Sequence, residues 1–140
     1  MIRTEDLRRQ HGELLDIVTE MSALLNEDAL KEEAGPIRSL LSKFAAKLST
    51  HLKMEDIKLY PVLIDNADEK VRSVANDFME EMGGLKDAFG KYLDNWPTVP
   101  KIQKDPAGFV TQTKGIFEAL GKRIEREDNQ LYKIFDNLKA

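Results

Sequence analysis

The chain has 140 residues and a formal net charge of −4, with 41% hydrophobic and 33% charged residues but only 8 Gly and 5 Pro. That profile fits one ordered, helix-rich domain with its own core, excludes a disordered or fibrous chain, and offers no concentrated basic patch for nucleic acid. With no Cys, no apolar stretch in the N-terminal MIRTEDLRRQ and no run near membrane-spanning length, the expectation is a cytoplasmic protein without disulfides, thiolate ligands or membrane contact.

The first helix is expected at about 4–26. Thr4 reads as its N-cap, with Glu5 and Asp6 in the first turn where the helix dipole favours acids. Leu7, His11, Leu14, Val18, Met21 and Leu25 then advance by steps of 4 and 3, the apolar seam of a bundle helix with His11 as its polar member. NEDALKEEAG reads as a polar connection, closed by Gly35 and by Pro36, which suits the first turn of a following helix. That second helix, about 36–64, carries Ile37, Leu41, Phe44, Leu48, His51, Glu55, Leu59 and Val62 along one side. Pro61 is expected to bend or end it, and IDNADEK to turn the chain.

The third helix, about 67–95, shows Val71, Ala75, Phe78, Met82, Leu85, Phe89, Tyr92 and Trp96, weakened by roughly 1 kcal/mol at each of Gly83 and Gly84. A loop from Pro97 to Lys104 follows. Asp105 reads as an N-cap and Pro106 as the first residue of a fourth helix, about 105–138. Its stripe is Phe109, Thr113, Ile116, Leu120, Arg123, Glu127, Leu131, Ile134 and Leu138. Four amphipathic helices with short links predict an all-α, antiparallel up-down-up-down four-helix bundle filling residues 1–140.

The polar interruptions of these stripes carry the chemistry. His51 and Glu55 lie four residues apart, one turn along the same helical face, so an imidazole and a carboxylate can reach one metal ion. An internal repeat extends the pattern. HGELLD at 11–16 aligns with MGGLKD at 82–87, and HLKMEDIKLYPVL at 51–63 aligns with RIEREDNQLYKIF at 123–135. Glu55, Asp56, Leu59 and Tyr60 thereby match Glu127, Asp128, Leu131 and Tyr132. Two helical hairpins related by a pseudo-two-fold would bring 11, 51 and 55 opposite 82, 123 and 127.

Over essentially the whole chain this pattern resembles the hemerythrin-like HHE cation-binding domain, whose halves each supply a His and an HxxxE. The resemblance implies a non-haem di-iron centre bridged by two carboxylates, and oxygen binding or sensing. Here His11, His51 and Glu55 match the first half. In the second, Met82 and Arg123 stand at the family's His positions and Glu127 remains. Five His hold the family's full centre, whereas this chain has two in all. Arg is permanently charged and a thioether is too soft for non-haem iron, so an intact di-iron centre is not expected.

His11, His51, Glu55 and Glu127 are the ligands that the resemblance assigns to one of the two irons. The expectation is one Fe or Zn ion there, in metal or O2 handling or sensing, with O2 or another small ligand as partner. The alternative is a metal-free structural or interaction bundle in which Arg123 replaces the lost cation and Met82 fills the vacated space. An enzyme using a mononuclear iron ranks last, and no Ser-His-Asp arrangement, P-loop or dinucleotide fingerprint is found. Tyr92 and Trp96 read as core caps. Tyr60 and Tyr132 read as packing at the bundle end, with donation to a site carboxylate as the lesser reading.

Overall fold

The computed structural model describes residues 3–138; the outermost positions of the expected 1–140 unit lie outside them. In chain order it runs α1 (Thr4–Ala23), α2 (Glu27–Glu32), α3 (Gly35–Met54), a π-helical turn (Glu55–Leu59), α4 (Tyr60–Ile64), α5 (Glu69–Asn95), α6 (Val99–Lys104), α7 (Pro106–Arg126), a second π-helical turn (Glu127–Leu131) and α8 (Tyr132–Leu138). There is no strand among the described residues. Helix α1 packs on α3, and α5 on α7, while α1 also touches α7 and α8.

Two stretches expected as connections are short helices instead. In α2 the Asn26 side chain accepts from the Ala29 N–H at 3.0 Å and caps the first turn, and Leu30 is buried. In α6 Pro100 sits in the first turn and Ile102 is buried. The two helices pack against each other. A couple of apolar residues in a polar stretch are too short a pattern to show helical periodicity, but one buried anchor suffices once a neighbour is there to cover it. Thr4, expected as a cap, is instead the first helical residue, and its hydroxyl donates to Asp136 Oδ1 at 2.6 Å, tying α1 to α8. Asp105 does cap α7, accepting from the Gly108 N–H at 3.0 Å.

The larger departure is at Pro61, which neither ends nor visibly interrupts its helix. Just before it, Glu55–Leu59 form a π turn that the Tyr60 N–H closes by bonding back to the Glu55 carbonyl. An equivalent turn at Glu127–Leu131 bonds the Tyr132 N–H to the Glu127 carbonyl, although Lys133 holds the place of Pro61. Proline is therefore not the common cause. Both turns begin at the glutamate of a repeat, and such bulges gather at functional positions. Each widened turn inserts one extra residue and rotates the helix beyond it. Thus Leu63 is buried while Val62, expected in the stripe, is 39% exposed. Tyr60 and Tyr132 are turned into the interior by the same shift.

The apolar interior forms two clusters. One runs from Leu14, Leu41 and Phe44 to Phe89, Phe109 and Leu120. The other gathers Leu7, Leu59, Leu63, Phe78, Leu131 and Phe135. The buried ionisable residues of α1, α3, α7 and the two π turns fall between them: His11 on α1, His51 on α3 with Glu55 just beyond it, and Arg123 on α7 with Glu127 just beyond it. A polar layer thus divides the core.

Candidate metal centre

Helix α1 supplies His11, α3 supplies His51, and the first residues of the two π turns supply Glu55 and Glu127. One ligand atom from each lies within 4.8 Å of the others, and all four residues are buried. The two imidazoles are held alike. His11 Nδ1 is 2.8 Å from Asp128 Oδ1, and His51 Nδ1 is 2.6 Å from Gln10 Oε1. The Gln10 amide is itself oriented, its N–H donating to the Met54 sulfur at 2.9 Å. With Nδ1–H donated outward, each ring directs Nε2 inward. His11 Nε2 lies 2.9 Å from Glu127 Oε1, and His51 Nε2 lies 3.6 Å from Glu55 Oε2 and 3.9 Å from Glu127 Oε1. Outer acceptors that fix tautomer and ring angle are the usual second layer of a histidine metal site.

Arg123 faces the same layer from α7. Its Nε donates to Glu127 Oε2 at 2.8 Å and one terminal nitrogen donates to the Tyr60 hydroxyl at 2.9 Å, while its carbon centre stacks 4.6 Å from the Phe78 ring. Of the carboxylates of Glu55 and Glu127, the guanidinium therefore hydrogen-bonds only that of Glu127. Glu55 is served instead by Tyr132, whose hydroxyl donates to Oε2 at 2.7 Å. Glu55 Oε1 is buried without a hydrogen-bond partner. Met82 is buried and lines a small cavity of about 20 Å³ together with His11, His51, Arg123 and Glu127, room for about one water-sized ligand.

Electrostatics follow from this packing. Burial raises the Glu55 carboxyl above its usual range, and Glu127 adds to that, while His51 and Tyr132 oppose it. Burial would raise Glu127 too, but His11, His51 and Arg123 outweigh it and hold this carboxyl well below the usual range. For His51, burial pushes down, yet Glu127 and Glu55 outweigh it and bring the imidazole up to about 9. In the metal-free protein at neutral pH the Arg123 guanidinium and a protonated His51 thus face an ionised Glu127. Because the folded His51 titrates above its unfolded value of 6.5, its stabilisation is complete below pH 6.5 and is lost as pH rises through 9. The shift corresponds to up to about 3 kcal/mol. Urea unfolding of metal-free protein at pH 6 and pH 9.5 is expected to show that loss, with a much flatter profile for His51→Gln; equal pH dependence in both proteins would contradict it.

Asp128 and Gln10 lie outside the set expected from the sequence, and Tyr132 follows the lesser of its two readings, donation to a site carboxylate. Tyr132 and Asp128 carry a signal in the repeat, where they match Tyr60 and Asp56. Gln10 carries none. Arg123 also leaves one terminal nitrogen without a hydrogen-bond partner, 3.7 Å from Glu81 Oε1.

The donor set, two neutral-capable imidazoles and two carboxylates, suits a divalent transition ion. The orphaned Glu55 Oε1 is the kind of buried acceptor that an added cation satisfies. No helix among the described residues is long and apolar enough to cross a membrane. Searches of curated proteins and of solved structures give no match. The family description "Hemerythrin HHE cation binding domain" matches residues 3–135, nearly the whole chain. With its all-helical fold and a buried cluster of two His and two Glu, the chain belongs to the hemerythrin HHE cation-binding domain family.

Proposed function

We propose that the protein holds a single Fe or Zn ion through His11, His51, Glu55 and Glu127, half of the family's di-iron site, and serves metal or O2 handling or sensing. The observation that carries this reading is the matched posture of the two imidazoles, each held at Nδ1 by an outer acceptor and turned with Nε2 toward the carboxylates. Outer acceptors of this kind fix the tautomer and ring angle of histidine metal ligands. The cavity bounded by Met82 and the imidazoles supports a small ligand, O2 among them, beside the ion. We read the supporting scaffold as one domain, an antiparallel up-down-up-down bundle of two hairpins. The matching π turns at Glu55 and Glu127 favour that symmetry.

A second reading is a metal-free bundle in which Arg123 supplies the missing positive charge. Its hydrogen bond to Glu127 favours it. The two readings part at one measurement. Elemental mass spectrometry on protein purified without a metal-binding tag is expected to find about one Fe or Zn per chain, lost in His51→Ala. Apparent affinity is expected to fall by at least about tenfold per pH unit from pH 8.5 to 7, because a proton must leave His51 before the ion can bind. Protein that takes up no metal even after anaerobic Fe(II) addition leaves the metal-free reading standing.

A further inference from the structure

We propose that Tyr132 is a fifth protein ligand, binding the ion held by His11, His51, Glu55 and Glu127 through its phenolate oxygen; this rests on the single-metal reading above. The Tyr132 hydroxyl oxygen lies 2.7 Å from Glu55 Oε2, 3.2 Å from Glu127 Oε1, 3.2 Å from His11 Nε2 and 3.3 Å from His51 Nε2. It touches one donor atom of every other ligand. An outer-layer partner behaves differently: Asp128 and Gln10 each meet only the outward-facing nitrogen of one ring.

The spacing selects a ligand position over the two alternatives. Around an ion with bonds of ~2.1 Å, neighbouring ligand atoms of an octahedron lie ~3.0 Å apart, the bond length times the square root of two. The separations of the Tyr132 oxygen scatter about that edge. Three of the six edges among the other four donors are 2.9, 3.6 and 3.9 Å, and all four donor atoms lie within 4.8 Å of one another. An atom occupying the ion's own place would lie ~2.1 Å from each donor in the closed site. Held at ~3 Å, it would force neighbouring donors ~4.2 Å apart, wider than these three edges. The phenol therefore stands at a corner of the polyhedron, not at its centre.

Local structure explains how it gets there. On an uninterrupted helix, position 132 lies off the face that carries 123 and 127. The π turn at Glu127–Leu131 adds the residue that swings Tyr132 inward, where it is wholly buried. Tyr60, after the first π turn, is committed elsewhere, accepting from Arg123. Without a cation the phenol keeps its proton and donates it to Glu55. On binding, the O–H bond is exchanged for a metal–oxygen bond, the proton passes to solvent, and no electron is transferred. A hard phenolate then joins two carboxylates and two imidazoles, a donor set suited to Fe(III).

The test is to load the tagless protein anaerobically with Fe(II), oxidise with ferricyanide, and record visible absorption and resonance Raman spectra beside the iron count. Iron at about one per chain with a visible phenolate-to-Fe(III) band and phenolate ring modes is expected. Both should persist in Tyr60→Phe and vanish in Tyr132→Phe, whose iron affinity falls by about tenfold or more. Iron bound at one per chain without phenolate modes overturns the proposal, as do modes that survive Tyr132→Phe or disappear only in Tyr60→Phe. The spectrum of the unsubstituted protein decides the matter even if Tyr132→Phe fails to fold. No bound iron at all overturns the single-metal reading as well, and the elemental count tells that outcome apart.

Discussion

Arg123→Ala is expected to cost the metal-free protein about 3–5 kcal/mol, a large part of the stability of a domain this size. The loss has two sources. Truncation removes the side chain that lies over Phe78 and leaves a void. It also strips Glu127 of the nitrogen donating at 2.8 Å and Tyr60 of its donor. The second source dominates, because a carboxylate buried to within 2% of full enclosure cannot recover its lost partner from water. Arg123→Met separates the two sources: it restores most of the volume without the charge, and is expected to recover little. Arg123→Met with Glu127→Gln removes both charges and is expected to recover much more, as buried ion pairs do when replaced together. Urea unfolding at pH 7 measures all three. A loss below about 1 kcal/mol in Arg123→Ala would show that this guanidinium does not balance the layer.

How much of this was legible in the sequence depends on whether helical periodicity held. His11, His51, Glu55, Arg123 and Glu127 were found because each interrupts an apolar stripe at its expected step of 3 or 4. Met82 was found only through the repeat, since it passes for an ordinary core residue. The same stepping fails beyond each glutamate. There a π turn adds a residue, so Val62 leaves the core for Leu63, and Tyr132, read as packing, joins the polar layer. No propensity marks that turn, because Pro61 follows the first copy and Lys133 the second. Gln10 was invisible for another reason: its place is set by a partner on another helix, Met54. The short helices α2 and α6 each bury one residue, Leu30 and Ile102, too little for periodicity to reveal.

Met82→His combined with Arg123→His is expected to raise iron uptake from about one to about two ions per chain after anaerobic Fe(II) loading. The two oxygens of each carboxylate face different surroundings. Glu127 turns Oε1 toward His11 and Oε2 toward Arg123. Glu55 turns Oε2 toward His51 and Tyr132 and leaves Oε1 without a partner. In effect the guanidinium holds one face of Glu127 while the imidazoles hold the other. Replacing it frees Oε2, removes a fixed positive charge that repels a second ion, and offers an imidazole one turn from Glu127. Met82 borders the same small cavity, so a second imidazole there would approach from α5. Arg123→His alone should bind the second ion more weakly, having one imidazole fewer. The double variant trades stability for metal: without iron it lacks the Arg123 cation and should unfold more easily than the parent, and iron should restore it by mass action. Elemental counting and thermal unfolding with and without Fe(II) read both effects. A folded double variant that binds no more iron than the parent would mean that positions 82 and 123 do not face a common second site, and that the guanidinium is a structural partner of Glu127 with no cation's place to fill.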